Sequence, residues 1–291
     1  MIVETPASVE PATSAYLDYA AATPLDPEVL EAMTPYLTGR FYNPSAPYAL
    51  ARNVRADVEA ARATVARCIG ARPGNVTFTA GATEANNLAF AATEGHVVTD
   101  AIEHESVLAC AQARPHAIVG VGPDGRVDPE DVLSAVTPAT QLVSVSLANG
   151  EIGCVQPVRE LARMMADLRE KRLAAGDLTP LYLHVDASQA ASCLTVDAGS
   201  LGCDLLTLSA AKIGGPKQVG LLWASDDVVL RPLVLGGGQE GGLRSGTENV
   251  AGIVGFARAL ELACGRRRKE SRRLASLRGR LERGLLAEFP W

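Results

Sequence analysis

The chain has 291 residues, 47% of them hydrophobic, and a formal net charge of -6. That length is enough for one large domain and part of another, with a sizeable buried core. The acidic balance argues against nucleic-acid binding, no run has the length and apolarity of a membrane span, and the N-terminus lacks a basic-then-apolar secretory pattern, so a soluble cytoplasmic protein is expected. Six cysteines, Cys68, Cys110, Cys154, Cys193, Cys203 and Cys264, show no CxxC or zinc-like spacing. No metal site is expected from them, and most should be reduced, buried packing residues.

Residues 1–15 are rich in Pro, Ala, Ser and Thr without periodicity and read as a mobile leader. Tyr16 to Pro27 is a short extended piece that turns at Pro24 and Asp26 and opens a helix at Pro27, a favoured first helical position. FYNPSAPY, Phe41 to Tyr48, is a loop, and an amphipathic helix follows from Ala49 to Ile69, ended by Gly70. Val76 to Thr79 is a strand, Gly81 allows a tight turn, and a helix begins at Thr83. Backbone N–H groups at such a start can hold a phosphate without any basic side chain, although most turns of this kind bind nothing. Further strands are expected at Val97 to Thr99, Ala117 to Val121, Leu142 to Leu147 and Val219 to Trp223, with helices at Glu103 to Ala113, Pro129 to Ala135 and Pro157 to Ala175. The alternation implies right-handed crossovers and an α/β fold, a mainly parallel sheet covered by helices.

Leu181 to Gly220 carries the chemistry. Two apolar runs, Leu181 to Val185 and Leu205 to Leu208, end at Asp186 and at Ser209 and Lys212, and the C-terminal ends of strands are where open α/β sheets present ligand-binding groups. Desolvation at a strand end favours a neutral, nucleophilic lysine amine, and a nearby aspartate suits the protonated ring nitrogen of pyridoxal phosphate. Taken singly, such an aspartate is more often a turn or cap residue and such a lysine a surface one. Lysine is scarce, with only Lys171, Lys212, Lys217 and Lys269. Lysine, unlike arginine, can be neutral near pH 7. Gly236 to Gly246 is a glycine-rich loop, either a linker or a cover over an anion or a partner subunit. From Glu248 the chain is helical to its end, with Leu274, Leu277, Leu281 and Leu285 in an apolar stripe. Its arginines are interleaved with Glu261, Glu270 and Glu282, which favours a solvated face over a nucleic-acid surface.

YLDYAAATPLDPEVLEAM, FYNPSA, VTFTAGATEANNLAF, IEHESVL, ANGEIGCVQPV, HVDASQA, LSAAKIGGPKQVG and GGGQEGGLRSGTENV, in this order, resemble the cysteine desulfurases, pyridoxal-phosphate enzymes of the class V aminotransferase fold. The resemblance implies an aminotransferase-like large domain over residues 16–250, the helical start of a truncated small domain over residues 251–291, and a homodimer. It makes Lys212 the Schiff-base lysine and Asp186 the partner of the pyridine nitrogen. His104 would stack on the ring and shuttle protons, and Gln189 would reach the ring oxygen. Ala82, Thr83 and Ser209 would bind the phosphate, and Thr247 would approach it from the neighbouring subunit. The implied reaction converts L-cysteine to L-alanine, with sulfur passing to an enzyme cysteine and on to an acceptor protein.

Three departures stand out. Ala211 occupies the position of the family's phosphate-binding histidine, and Gly150 that of a cofactor-contacting asparagine, for which Asn149 would compensate. No cysteine matches the family's sulfur-accepting loop. The sequence therefore reads as a desulfurase lacking its last part or as a divergent homologue. The alternatives are another class V aminotransferase reaction, a selenocysteine lyase-like enzyme, or a non-catalytic dimerising module.

Overall fold

The computed structural model describes residues 15–289, so all but the last residue of the expected leader, and the final Pro290 and Trp291, lie outside it. In chain order the elements are α1 (Pro27–Leu37), α2 (Ala49–Cys68), β1 (Val76–Thr79), α3 (Ala82–Phe90), β2 (His96–Asp100), α4 (Glu105–Gln112), β3 (His116–Val119), α5 (Pro129–Ser134), β4 (Thr140–Ser144), α6 (Val158–Ala174), β5 (Tyr182–Asp186), α7 (Ala198–Leu201), β6 (Leu205–Ser209), β7 (Gly220–Ala224) and α8 (Val250–Glu288). The strands form one sheet in the order β1-β7-β6-β5-β4-β2-β3. Pairing is parallel from β6 through β5, β4 and β2 to β3, and β7 runs antiparallel to both β6 and β1. The expected mainly parallel α/β sheet is thus present.

The buried residues explain it. β1, β6 and β7 are buried along their whole length, and β5 along all but its first residue. Strands covered on both faces favour continuous apolar runs over alternation, as LLTLS and GLLWA show, whereas VTFT alternates and buries Thr77 and Thr79 as well. The fourth strand ends at Ser144 rather than Leu147. The chain beyond it still bonds to β5, Val145 N donating to His184 O and Leu147 N to Asp186 O, before Gln156 N donates to Leu147 O and turns the segment away.

At the other edge of the parallel set, Gly81 sits at φ 132° as the N-cap of α3 and lies against Gly220 at the start of β7. A Cβ on Gly220 would stand 2.5 Å from the Gly81 carbonyl carbon, so only glycine lets the turn before α3 rest on β7.

The expected break at residue 250 falls at the start of one continuous helix of 39 residues. Ile253, Phe256, Ala257 and Leu260 on its first half belong to the same core as the sheet, whereas Leu274, Leu277, Leu281 and Leu285 on its second half are exposed. The cysteines depart from expectation as well. All six are free, but only Cys203 is buried; four are half-buried and Cys193 is exposed, and none of them lies on a strand.

Candidate active site

The C-terminal ends of β1, β4, β5 and β6 open into one cavity of about 1270 Å³. It brings together Ala82, Thr83, His104, Asn149, Asp186, Gln189, Ser209 and Lys212 of the residues singled out from sequence. Thr247 is exposed and is not among the cavity-lining residues.

Asp186 is the last residue of β5 and is only 8% exposed. Its two oxygens are held by different donors: Ser188 N–H at 2.9 Å on Oδ1 and Asn86 Nδ2 at 2.9 Å on Oδ2. The same Asn86 amide donates its other hydrogen to Ser106 Oγ at 2.9 Å, and Ser106 Oγ lies 2.8 Å from His104 Nδ1. His104 caps α4, its Nδ1 accepting from Ser106 N–H at 3.0 Å. That bond fixes the tautomer: a neutral His104 carries its proton on Nε2. Asn86, completely buried, therefore ties the carboxylate of Asp186 to the imidazole of His104. Sequence reasoning passed over it as one polar residue in EANNLAF.

Beneath this chain lies a second layer. His184 is buried, its Nδ1 2.8 Å from Ser144 Oγ and its Nε2 3.0 Å from Thr207 Oγ1; burial pulls its pKa down to about 4, so it is neutral at physiological pH. Glu103 also lines the cavity from below. Burial, then the charges of Asp100 and Asp186, drive its carboxyl well above the usual range, so it favours the neutral form beside the ionisable groups of the site.

Lys212 stands three residues past β6 in a single 3₁₀ turn, Ala210–Lys212, rather than at the strand end itself. Its Nζ donates to Ala20 O at 2.8 Å and Ala21 O at 2.7 Å, and Gln189 Nε2 also donates to Ala20 O at 3.0 Å. Desolvation lowers the Lys212 pKa, against the opposing charges of Asp18 and Asp186. The segment from Asp18 to Thr23 is thus a strap across the cavity, sewn down also by Thr23 N–H and Thr23 Oγ1 donating to Ala211 O. Its lining role has no local signature, since its bonds reach residues some 190 positions away.

One departure read from sequence acquires a reason. A Cβ at Gly150 would lie 2.5 Å from Gln189 Nε2, so the glycine makes room for Gln189. Asn149 lines the cavity while its amide also holds the turn: its Nδ2 donates to Ile102 O, and its Oδ1 accepts from Glu151 N–H and Ile152 N–H. Near α3, Glu84 accepts from Ala80 N–H at 3.0 Å and pairs with Arg244 at 2.9 Å, which offsets a negative charge beside the helix start.

The aminotransferase class-V profile matches residues 15–287. The chain is 39% identical over 287 residues to the cysteine desulfurase IscS of Clostridium botulinum, covering 94% of this chain and 70% of that one. It is 36% identical to the selenocysteine lyase of Homo sapiens, covering 96% of this chain and 70% of that one. A solved NifS-like protein superposes with a TM-score of 0.85 at 33% identity, covering 94% of this chain and 76% of that one. The chain belongs to the aminotransferase class V family. Within that family it is cysteine desulfurase-like, and its cofactor is pyridoxal phosphate.

The residues present fit that group. Gly81 caps α3 without using a side chain, which leaves the first N–H groups of α3 directed at the cavity mouth. Buried Ser146 Oγ and Ser188 Oγ, both on cavity-lining residues, lack protein partners among the described residues. Asn86→Ala is expected to weaken pyridoxal-phosphate binding about tenfold or more, since it takes the donor from Asp186 Oδ2 and cuts the link to Ser106 and His104. Absorbance titration with the cofactor reads this, and the same variant should lower the thermal midpoint.

Proposed function

We propose that this chain takes sulfur from L-cysteine, releasing L-alanine, with Lys212, Asp186 and His104 as its catalytic residues. The observation that carries the reading is the convergence of the Lys212 amine and the Asp186 carboxylate on one cavity, with Asn86 and Ser106 linking that carboxylate to His104. When bound, pyridoxal phosphate supplies an electron sink that acidifies the substrate α-carbon. Asp186 holds positive charge at the ring nitrogen, and the fixed donors on its two oxygens keep it in place. Ala82 and Thr83 at the start of α3, with the Ser209 hydroxyl, hold the phosphate. Lys212, released from the Ala20 and Ala21 carbonyls and carrying a lowered pKa, moves the α-proton. His104 holds a proton on Nε2 for the substrate side, and Gln189 orients the ring oxygen.

Residues 16–250 would form the cofactor domain and residues 251–291 the start of a smaller one, in a cytoplasmic homodimer whose Thr247 completes the neighbour's phosphate site. None of the six cysteines lines the cavity. The thiolate that receives sulfur is therefore supplied from outside it, and an acceptor protein carries the sulfur on. The same observation, with the likeness to a selenocysteine lyase, makes L-selenocysteine cleavage the second reading.

Alanine release from the cofactor-loaded chain tests both. Little or none is expected from L-cysteine alone, and release above the rate of free pyridoxal phosphate is expected once a small thiol is added. Release from L-selenocysteine only would select the second reading. No release from either substrate, by a chain that binds the cofactor, would overturn both.

A further inference from the structure

A pair of thiols outside the cavity remains unassigned. Cys68 is the last residue of α2, and Cys264 lies on α8 just past Leu260, where the helix leaves the core. The Cys264 Sγ is 3.9 Å from the Cys68 carbonyl oxygen, and Arg267 Nη1 is 3.8 Å from the Cys264 sulfur. Both residues are half-buried, so a small reagent has access. Arg67 and Glu261, one helical step from the pair on each element, face each other at 3.7 Å. Arg266 is taken up by Asp26 and Glu28, but Arg268 and Lys269 follow Arg267 in sequence and give this part of α8 a basic character suited to an anionic reagent.

We propose that Cys264 and Cys68 form a thiol-modification site that takes anionic low-molecular-weight disulfides of the glutathione kind, Cys264 attacking and Cys68 resolving. In the first step the Cys264 thiolate attacks one sulfur of the disulfide; the S–S bond breaks and one small thiolate leaves. In the second, Cys68 gives its proton to water and attacks the Cys264 sulfur, the mixed disulfide breaks, and the second small thiol leaves. The two cysteines are oxidised by two electrons and the reagent is reduced to two thiols. The product is a covalent clamp between the end of α2 and the middle of α8.

The assignment of roles follows from the surroundings. The pairing with Cys68, then the Arg267 guanidinium 3.8 Å from its sulfur, lower the Cys264 pKa against its burial, whereas the same pairing and burial raise that of Cys68. Cys264 is therefore the thiol that ionises first, and the thiolate is the attacking species. Burial pushes Cys203 the other way, up to about 12, and Cys110 also upward. Neither cysteine of the pair lines the cavity, so the site stands independently of the reaction carried out there.

The experiment exposes the full chain to glutathione disulfide under native conditions, then blocks remaining thiols and maps the peptides. The expected result is one new Cys68–Cys264 link, reversed by reductant, with a thermal midpoint raised by roughly 5 °C, since the bond closes a long loop. Cys68→Ser should trap a stable glutathione adduct on Cys264, and Cys264→Ser should leave Cys68 unmodified. On the unmutated chain, limiting iodoacetamide should label Cys264 before Cys68. Modification confined to the exposed Cys193, or labelling of Cys68 ahead of Cys264, would overturn the proposal.

Discussion

Lys212→Ala is expected to lower amino-acid turnover by on the order of 10⁴-fold or more, because it removes both the covalent anchor of the cofactor and the amine that moves the substrate proton. Cofactor should still bind, more weakly, since the start of α3, Ser209 and Asp186 are untouched, but without the visible absorbance of a lysine-linked aldehyde. Lys212→Arg should be equally inactive. Arginine keeps a positive charge at all relevant pH values, whereas the lowered pKa of Lys212 brings the neutral amine within reach. Neither change should unfold the protein: the amine bonds only to the Ala20 and Ala21 carbonyls at a solvent-accessible position. An unchanged spectrum in Lys212→Ala would remove Lys212 from the mechanism.

Asp186→Asn should reduce turnover by about 10³-fold, the scale seen when one fixed charge partner of a reacting system is lost. It should also destabilise the fold by roughly 1–3 kcal/mol. The second effect comes from hydrogen-bond bookkeeping. Asp186 accepts from Ser188 N–H on one oxygen and Asn86 Nδ2 on the other, so an asparagine, whichever way its amide is turned, sets an NH₂ against a donor in a buried place. Cofactor affinity, turnover and thermal midpoint together read the result. A variant with full turnover would mean that the carboxylate does not face the reacting ring.

Much of the sheet was legible because buried strands advertise themselves: LYLHV and LLTL are mainly apolar runs cut off by Asp or Ser, VTFT is β-branched and aromatic throughout, and all three sit where expected within a residue or two. The outer helices were legible from caps such as Asp26 before Pro27 and Asp128 before Pro129. Lys212 and Asp186 could be placed at the site because strand ends and residue chemistry are local properties. The connections between groups could not. Asn86 meets Asp186 across 100 residues, and the Ala20 carbonyl meets Lys212 across 192, and neither partner carries a pattern that announces the other. The engagement of Asn149 in its own turn was equally hidden, since EIG and its neighbours read the same whether the amide faces a ligand or the backbone.

The placement of β7 between β1 and β6 has a consequence during synthesis. When Gly81 leaves the ribosome, Gly220, on which it must rest, has not been made; at usual elongation rates it follows roughly 7–30 s later. Phe78 waits slightly longer, for the loop that follows, since its N–H is held by Glu240, 162 residues on. Over that interval the apolar first strand has no partner, a state that invites aggregation and chaperone capture. On the proposed reading, a nascent chain halted before β7 would leave the turn before α3 unsupported, and loading of the cofactor would follow the synthesis of β7.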